Sequence, residues 1–415
     1  MNPARVLPYG RHSISDEDIT AVVDCLRGDW LTQGPRVRAF EDDLCAYTGA
    51  KYAVAVSSGT AALHLVYRAA GVGPGHVGLT SPISFVATAN ALLHNGAKVA
   101  FADISPESAL LEPPTLERRI RELEATNQKP RVVVPVHFAG QPSDARGIQQ
   151  VAREHGALVI EDAAHALGAK YSADGTTHTV GSCAHADASI FSFHAVKHVA
   201  MGEGGAVTTN DEGLSDAIRE LRSHGLHKEA GRFDRSHDDP MVGPWYYEQD
   251  SLGFNYRVTD LQCALGTSQL RRLDGFVARR EAIARRYDAA IHTHRVLSAT
   301  LSPLATSPGI RHARHLYVVR LCSAEGEFLG DVAGRRKQLH AELHRRGILV
   351  QVHYIPIPWQ PYFRRNPLVI PGAVPVAEAY YAACLSLPIY PAMTDDDVEF
   401  VLQNLVEAIE KEIRR

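Results

Sequence analysis

Residues 188–211 read ASIFSFHAVKHVAMGEGGAVTTND. The apolar run ASIFSF (188–193) predicts a buried strand. It empties into a segment carrying Ser192, His194, Lys197 and His198, then a glycine-rich bend, then a second apolar strand, GAVTT (205–209). A lysine in a loop is ordinarily a solvated surface charge. Lys197 is instead confined between an apolar strand and a glycine-rich bend, which makes it a candidate for chemistry. His194 and His198 stand four apart, a spacing that suits zinc on a helix, but no third ligand accompanies them.

Upstream, VIEDAAHALGA (159–169) closes another predicted strand, ALVIE (157–161). A carboxylate at the end of a buried strand must face solvent, accept hydrogen bonds or pair with a cation. Asp162 therefore reads either as a helix cap or as the partner of a protonated ring nitrogen, and the residues alone leave both open. His165 follows three residues later. Further upstream, SSGTAALHLVYRAA (57–70) is a strand end, a Ser-Ser-Gly turn and a helix. A helix N-terminus offers unpaired N–H groups that suit a phosphate, although Ser58 as an ordinary N-cap explains the same residues. GVGPG (71–75) follows a helix rather than a strand and reads as a turn.

Between these landmarks short apolar runs alternate with helical stretches. Strands are predicted at 52–56, 77–80, 98–102, 131–136, 157–161, 188–193 and 205–209. Helices are predicted near 16–27, 35–46, 60–70, 84–94, 144–155 and 211–223. This is the pattern of an α/β domain with a mostly parallel seven-stranded sheet. Residues 228–250 break the rhythm as a long loop ending GPWYYEQD. Beyond it we expect one long helix over 259–292, strands at 316–322 and 348–354, and helices near 331–346, 375–384 and 395–413. These assign a large domain to 1–260 and a small α+β C-terminal domain to 261–415.

Composition excludes several classes. With 43 basic and 47 acidic residues the formal charge is -4, which gives no footprint for nucleic acid or an anionic membrane. No apolar run reaches membrane-spanning length, and the first residues carry no apolar signal core, so a cytoplasmic location is expected. The six cysteines, Cys25, Cys45, Cys183, Cys263, Cys322 and Cys384, lack CxxC spacing and read as reduced core thiols.

Taken together, the helix start at Gly59-Thr60, then Asp162, then Lys197 form a constellation, and around it the sequence resembles a family. The stretches TSPISFVATANALL (80–93), HFAGQP (137–142), HALGA (165–169), FSFHAVKH (191–198), EGGAVTTND (203–211), LRSHG (221–225), GPWYYEQDSLGFNYRVTDLQCALG (243–266) and RGILVQVHYIPI (346–357) are similar to the DegT/DnrJ/EryC1/StrS sugar aminotransferases. The likeness runs from LTQGP (31–35) to LSLPIYP (385–391) and is strongest to the branch acting on the 4-keto sugar of pseudaminic acid biosynthesis. AMGEGG stands where that branch suggests TTAEGG, so Met201 replaces a small polar residue.

The resemblance implies the aspartate-aminotransferase-like fold type I and pyridoxal 5′-phosphate as cofactor. It implies that Lys197 bonds the cofactor and shuttles the proton, and that Asp162 pairs with the ring nitrogen. Gly59, Thr60 and Ser192 hold the phosphate, Phe85 stacks on the ring and His165 lies near its 3-oxygen. Asn255 reaches the phosphate from the neighbouring subunit of a homodimer with shared active sites. Arg257 and His353 face the substrate. The implied reaction moves an amino group from L-glutamate to C4 of a nucleotide-linked keto sugar, UDP-2-acetamido-2,6-dideoxy-β-L-arabino-hex-4-ulose. Arg232, Arg235, Trp245, Tyr246 and Tyr247 of the 228–250 loop are candidates for the diphosphate and base, or for packing against the next subunit.

Competing readings are an aminotransferase for another UDP-, GDP- or dTDP-keto sugar, an amino-acid aminotransferase, a non-catalytic sensor on the same fold, and a dehydratase. The dehydratase branch of the family carries histidine at the lysine position; here FSFHAVK places Lys197 there and His198 one residue later.

Overall fold

Alternate residues of a strand face opposite sides of a sheet, and Tyr52–Val56 shows the consequence. Val54 and Val56 pack into one apolar layer, while Ala53 and Ala55 pack into another. Both faces are covered, so the strand reads as a continuous apolar run. The same holds along the whole central sheet of this computed structural model, which describes residues 5–236, 238–322 and 331–413.

The sheet has seven strands: β1 (Tyr52–Val56), β2 (Val77–Thr80), β3 (Lys98–Phe101), β4 (Pro130–Val134), β5 (Leu158–Asp162), β6 (Ala188–Ser192) and β7 (Gly205–Thr209). Their spatial order is β1-β7-β6-β5-β4-β2-β3. Pairs from β3 through to β6 are parallel, and β7 is antiparallel to both neighbours. One face packs against the helix Gly59–Ala69 through Leu63 and Val66. The other carries Phe40, Leu44, Cys263 and Leu270 at one end, and Leu116, Ile120 and Ile148 at the other. The mostly parallel α/β architecture is the one expected.

The C-terminal part builds its own core on a three-stranded antiparallel sheet, Leu301–Pro303, Tyr317–Leu321 and Cys384–Leu387. The helices Val332–Arg345 and Asp395–Ile413 pack there through Leu339, Leu343, Val401 and Leu405. Leu7 belongs to this second core, because Leu7–Pro8 pairs in parallel with Ile348–Leu349. The first four residues and residues 323–330 of the two assigned domains lie outside the described residues, as does residue 237 of the 228–250 loop. Among the described residues no helix is long and apolar enough to cross a membrane.

Three expectations are corrected. The helix over 259–292 is two helices, Asp260–Arg271 and Leu273–Thr293, interrupted at Arg272. Arg272 there pairs with buried Asp18 at 2.7 Å and lies over the Phe276 ring. The strand over 348–354 shrinks to Ile348–Leu349, since Val352, His353 and Tyr354 turn into the central cavity. A helix at Pro113–Glu124 and a hairpin of Lys170–Ala173 with Thr176–Thr179 were not expected.

Candidate active site

Three chain segments converge at one edge of the sheet, where β1, β5 and β6 end and β7 begins. After β1, Ser58 is extended, and its Oγ accepts from Ala61 N at 3.1 Å, capping the Gly59–Ala69 helix. The first-turn amides of such a helix have no acceptor within the helix and carry the positive end of its dipole. Two glycines allow the convergence. A Cβ on Gly59 would lie 2.9 Å from Ser192 Cβ, and one on Gly205 would lie 2.3 Å from Ser58 O. Ser192 thus sits directly against the helix start.

Asp162 ends β5 and is only 6% exposed. Its Oδ2 accepts from Thr88 Oγ1 at 2.6 Å and its Oδ1 from Ala164 N at 3.2 Å. Thr88 Oγ1 is in turn 2.7 Å from Ser84 Oγ. The carboxylate is oriented by these donors and has a face left toward the cavity, where a cation would be favoured. Lys197 lines the same cavity. Burial lowers its ammonium from the ordinary lysine value to about 8, with Asp162 acting in the opposite direction.

The far wall is aromatic and imidazole-rich. Tyr354 Oη lies 3.2 Å from His165 Nε2, while His165 Nδ1 is buried without a partner. The His165 and His315 rings are 4.3 Å apart. Burial drives His165 and His315 well below the usual histidine range, reinforced for His165 by Lys197 and for His315 by His165. His353 Nδ1 is 2.9 Å from Ser386 Oγ, and burial brings this imidazole down to about 4. His198, next to Lys197, has Nε2 at 2.8 Å from Ala313 O, so that nitrogen carries the proton; burial lowers it to about 3. Phe85, 60% exposed, stands at the rim.

Gly59, Thr60, Phe85, Asp162, His165, Ser192, Lys197 and His353 all line one cavity of about 690 Å³. Asn255 and Arg257 do not line it within a single chain. Asn255 is exposed on a segment held beside the helix start by Ser57 N donating to Tyr256 O at 2.8 Å. Thr88, Tyr354, His315 and Tyr9 also line the cavity and were not picked out from sequence. Thr88 and Tyr354 lie inside the quoted similar stretches, and adjacency to His353 was the signal available for Tyr354. In the 228–250 loop, Arg232 is taken up by Glu220 and by Asp250 at 3.0 Å, and Arg235 by Asp239 at 2.8 Å. Arg232 is thus ion-paired through both terminal nitrogens, whereas Arg235 is paired through one and its side chain is more than half exposed. Trp245 and Tyr247 remain exposed.

Comparison with known proteins gives concordant results. A family model described as the DegT/DnrJ/EryC1/StrS aminotransferase family matches residues 12–406. The spore coat polysaccharide biosynthesis protein SpsC of Bacillus subtilis is 41% identical over 96% of this chain and 95% of its own. The UDP-4-amino-4,6-dideoxy-N-acetyl-β-L-altrosamine transaminase of Campylobacter jejuni is 36% identical over 98% of each chain. Among solved structures, Helicobacter pylori PseC, an aminotransferase involved in the biosynthesis of pseudaminic acid, superimposes with a TM-score of 0.85. It is 31% identical, covering 98% of this chain and 100% of that one.

Proposed function

The chain belongs to the DegT/DnrJ/EryC1/StrS aminotransferase family, and we propose that it moves an amino group from L-glutamate to C4 of UDP-2-acetamido-2,6-dideoxy-β-L-arabino-hex-4-ulose, giving UDP-4-amino-4,6-dideoxy-N-acetyl-β-L-altrosamine. The observation that carries this reading is the meeting of Lys197, Asp162 and the Gly59 helix start in one cavity.

Those residues fit pyridoxal 5′-phosphate. The side-chain-free approach of Gly59 to Ser192 leaves backbone N–H groups and a hydroxyl for a phosphate, and the unpartnered Nδ1 of His165 is a buried group awaiting a polar neighbour. When bound, this cofactor supplies an electron sink for the carbon that gains or loses the amino group. Lys197 Nζ would hold the cofactor covalently and, when free, would take the proton from the α-carbon of glutamate. An amine depressed to about 8 is neutral often enough near neutral pH to act as that base. Asp162, held by Thr88, would keep a proton on the ring nitrogen. Gly59, Thr60 and Ser192 would bind the phosphate, Phe85 would cover one ring face and His165 would meet the 3-oxygen. His353 and Arg257 serve the sugar side, and Asn255 serves the neighbour's phosphate across a homodimer.

The name of the Campylobacter relative supports the UDP-sugar and C4 assignment, and the Helicobacter neighbour supports an aminotransferase of pseudaminic acid biosynthesis. The test is kcat/KM across UDP-, GDP- and dTDP-4-keto-6-deoxy sugars with glutamate as donor, including the D-xylo epimer of the UDP compound. The UDP-L-arabino substrate should lead. Preference for a GDP or dTDP sugar, or for the D-xylo epimer, overturns the substrate and leaves the aminotransferase.

A further inference from the structure

The 228–250 loop is closed at its neck by two short antiparallel strands, Leu226–His227 and Glu248–Gln249, which set His227 opposite Glu248. The His227 side chain is 2% exposed, and neither ring nitrogen has a hydrogen-bond partner. Its Nε2 lies 3.2 Å from Asp250 Oδ2, close enough for a charged pair but out of hydrogen-bonding geometry. An imidazole buried in this way with both nitrogens unused is costly unless something else engages it. One ligand atom each from His227, Glu248 and Asp250 lies within 4.8 Å of the others.

The surrounding charge also calls for a cation. Glu220, Glu229 and Asp250 all converge on the single guanidinium of Arg232. Arg235 is occupied by Asp239. Glu248 has only neutral donors, Asp234 N at 2.7 Å, Arg235 N at 3.2 Å and Tyr246 Oη at 2.8 Å, which fix its carboxylate in place. Negative charge therefore exceeds positive charge at the neck.

We propose that His227, Glu248 and Asp250 bind one divalent transition metal of the zinc class. One imidazole nitrogen with two carboxylate oxygens suits zinc, with water completing the shell, whereas calcium and magnesium favour oxygen alone. The cation links both ends of the loop that carries Trp245 and Tyr247. It also stiffens the connection on to Asn255, because Asp250 N already donates to Gly225 O at 3.2 Å. The site stands apart from the catalytic cavity and does not depend on the proposed reaction.

The test uses cofactor-loaded protein stripped with EDTA, in a His340→Ala background. His340 and His344 stack at 4.1 Å on the Val332–Arg345 helix and form a second place for zinc to settle. Zinc chloride is titrated calorimetrically, and trypsin cleavage at Lys228, Arg232 and Arg235 is followed with and without it. One equivalent should bind at least tenfold more tightly than to His227→Ala or Asp250→Asn, and zinc should slow loop cleavage at least tenfold only when His227 is present. Undiminished binding in His227→Ala overturns the site; should that variant lose its cofactor absorbance, Asp250→Asn is judged in its place. Absence of any zinc effect on cleavage also overturns it.

Discussion

Thr88 Oγ1 donates to Asp162 Oδ2 across 2.6 Å, and both groups are buried. The bond joins a helix that starts at Ala87 to the end of β5 and orients the carboxylate assigned to the ring nitrogen. A hydrogen bond to a charged group contributes about 1.5–3 kcal/mol. Thr88→Val, which keeps the shape and removes the donor, should lower kcat about ten- to a hundredfold and weaken cofactor retention, with Thr88→Ser restoring most of both. Unaltered kcat in Thr88→Val would mean that Asp162 needs no orientation from this side.

For Lys197, the purified protein should be yellow, and borohydride reduction should fix the cofactor to the peptide containing that residue. Lys197→Ala should retain cofactor non-covalently and lose turnover by roughly a thousandfold or more, within the range of general base removal compounded by loss of the covalent link. Label on another lysine refutes the assignment.

The depressed lysine gives a pH signature in cofactor-free protein. Only the neutral amine attacks the cofactor's aldehyde, so the rate of reconstitution should rise with pH around a midpoint near 8. Because the folded value lies below the unfolded one, the apoprotein binds fewer protons folded than unfolded between about 8 and the ordinary lysine value. It therefore gains stability as pH rises across that window. Stopped-flow absorbance measures the first effect and urea melts the second. A reconstitution midpoint above 10 would show that burial leaves Lys197 unperturbed.

The opposite end of the pH scale belongs to the histidines. His198, at about 3, and His353, at about 4, are buried neutral, and His165 and His315 are held low as well. Unfolded, each takes up a proton near pH 6.5. Stability is thus fully present above that pH and declines as pH falls toward the folded values, by about 1.4 kcal/mol per pH unit for each group that stays neutral. His198→Gln can still donate to Ala313 O. It should flatten the dependence of unfolding free energy on pH between 6.5 and 5 by about one proton's worth. Identical slopes would show that His198 is charged in the folded state.

Much of this was legible from local pattern. The strands around Val54, Val132 and Ile190 declare themselves as apolar runs, whereas Lys197, Asp162 and Gly59, each ambiguous alone, mark a site only through their order along the chain and the family resemblance around them. The helix Pro113–Glu124 obeys the same rules, with proline at its start and Leu116, Ile120 and Leu123 on one face. Tyr354 and His315 carry no such mark. They become site residues only because the chain after Ile348–Leu349 leaves the sheet and His315 packs on His165. The interruption at Arg272 coincides with a tertiary contact to Asp18, far away in sequence. Arg232 and Arg235 read as free cations until their acidic neighbours are placed around them.

Asn255 carries the last prediction. It is exposed and outside its own cavity, yet its segment is anchored at the helix start that would bind phosphate, through Ser57 N and Tyr256 O. A two-fold dimer bringing this surface onto a second chain would place Asn255 at the partner's cavity and make each site composite. Asn255→Ala and Lys197→Ala should each be nearly inactive alone. When the two are mixed, dissociated and reassociated, a hybrid has one site with both defects and one with neither. Random pairing of equal amounts should therefore restore about a quarter of wild-type activity. The measurement is specific activity of the mixture, with hybrids quantified by differently tagged chains. Hybrids that form and remain inactive would place Asn255 outside any shared site, and full activity of Asn255→Ala by itself would remove it from the phosphate site altogether.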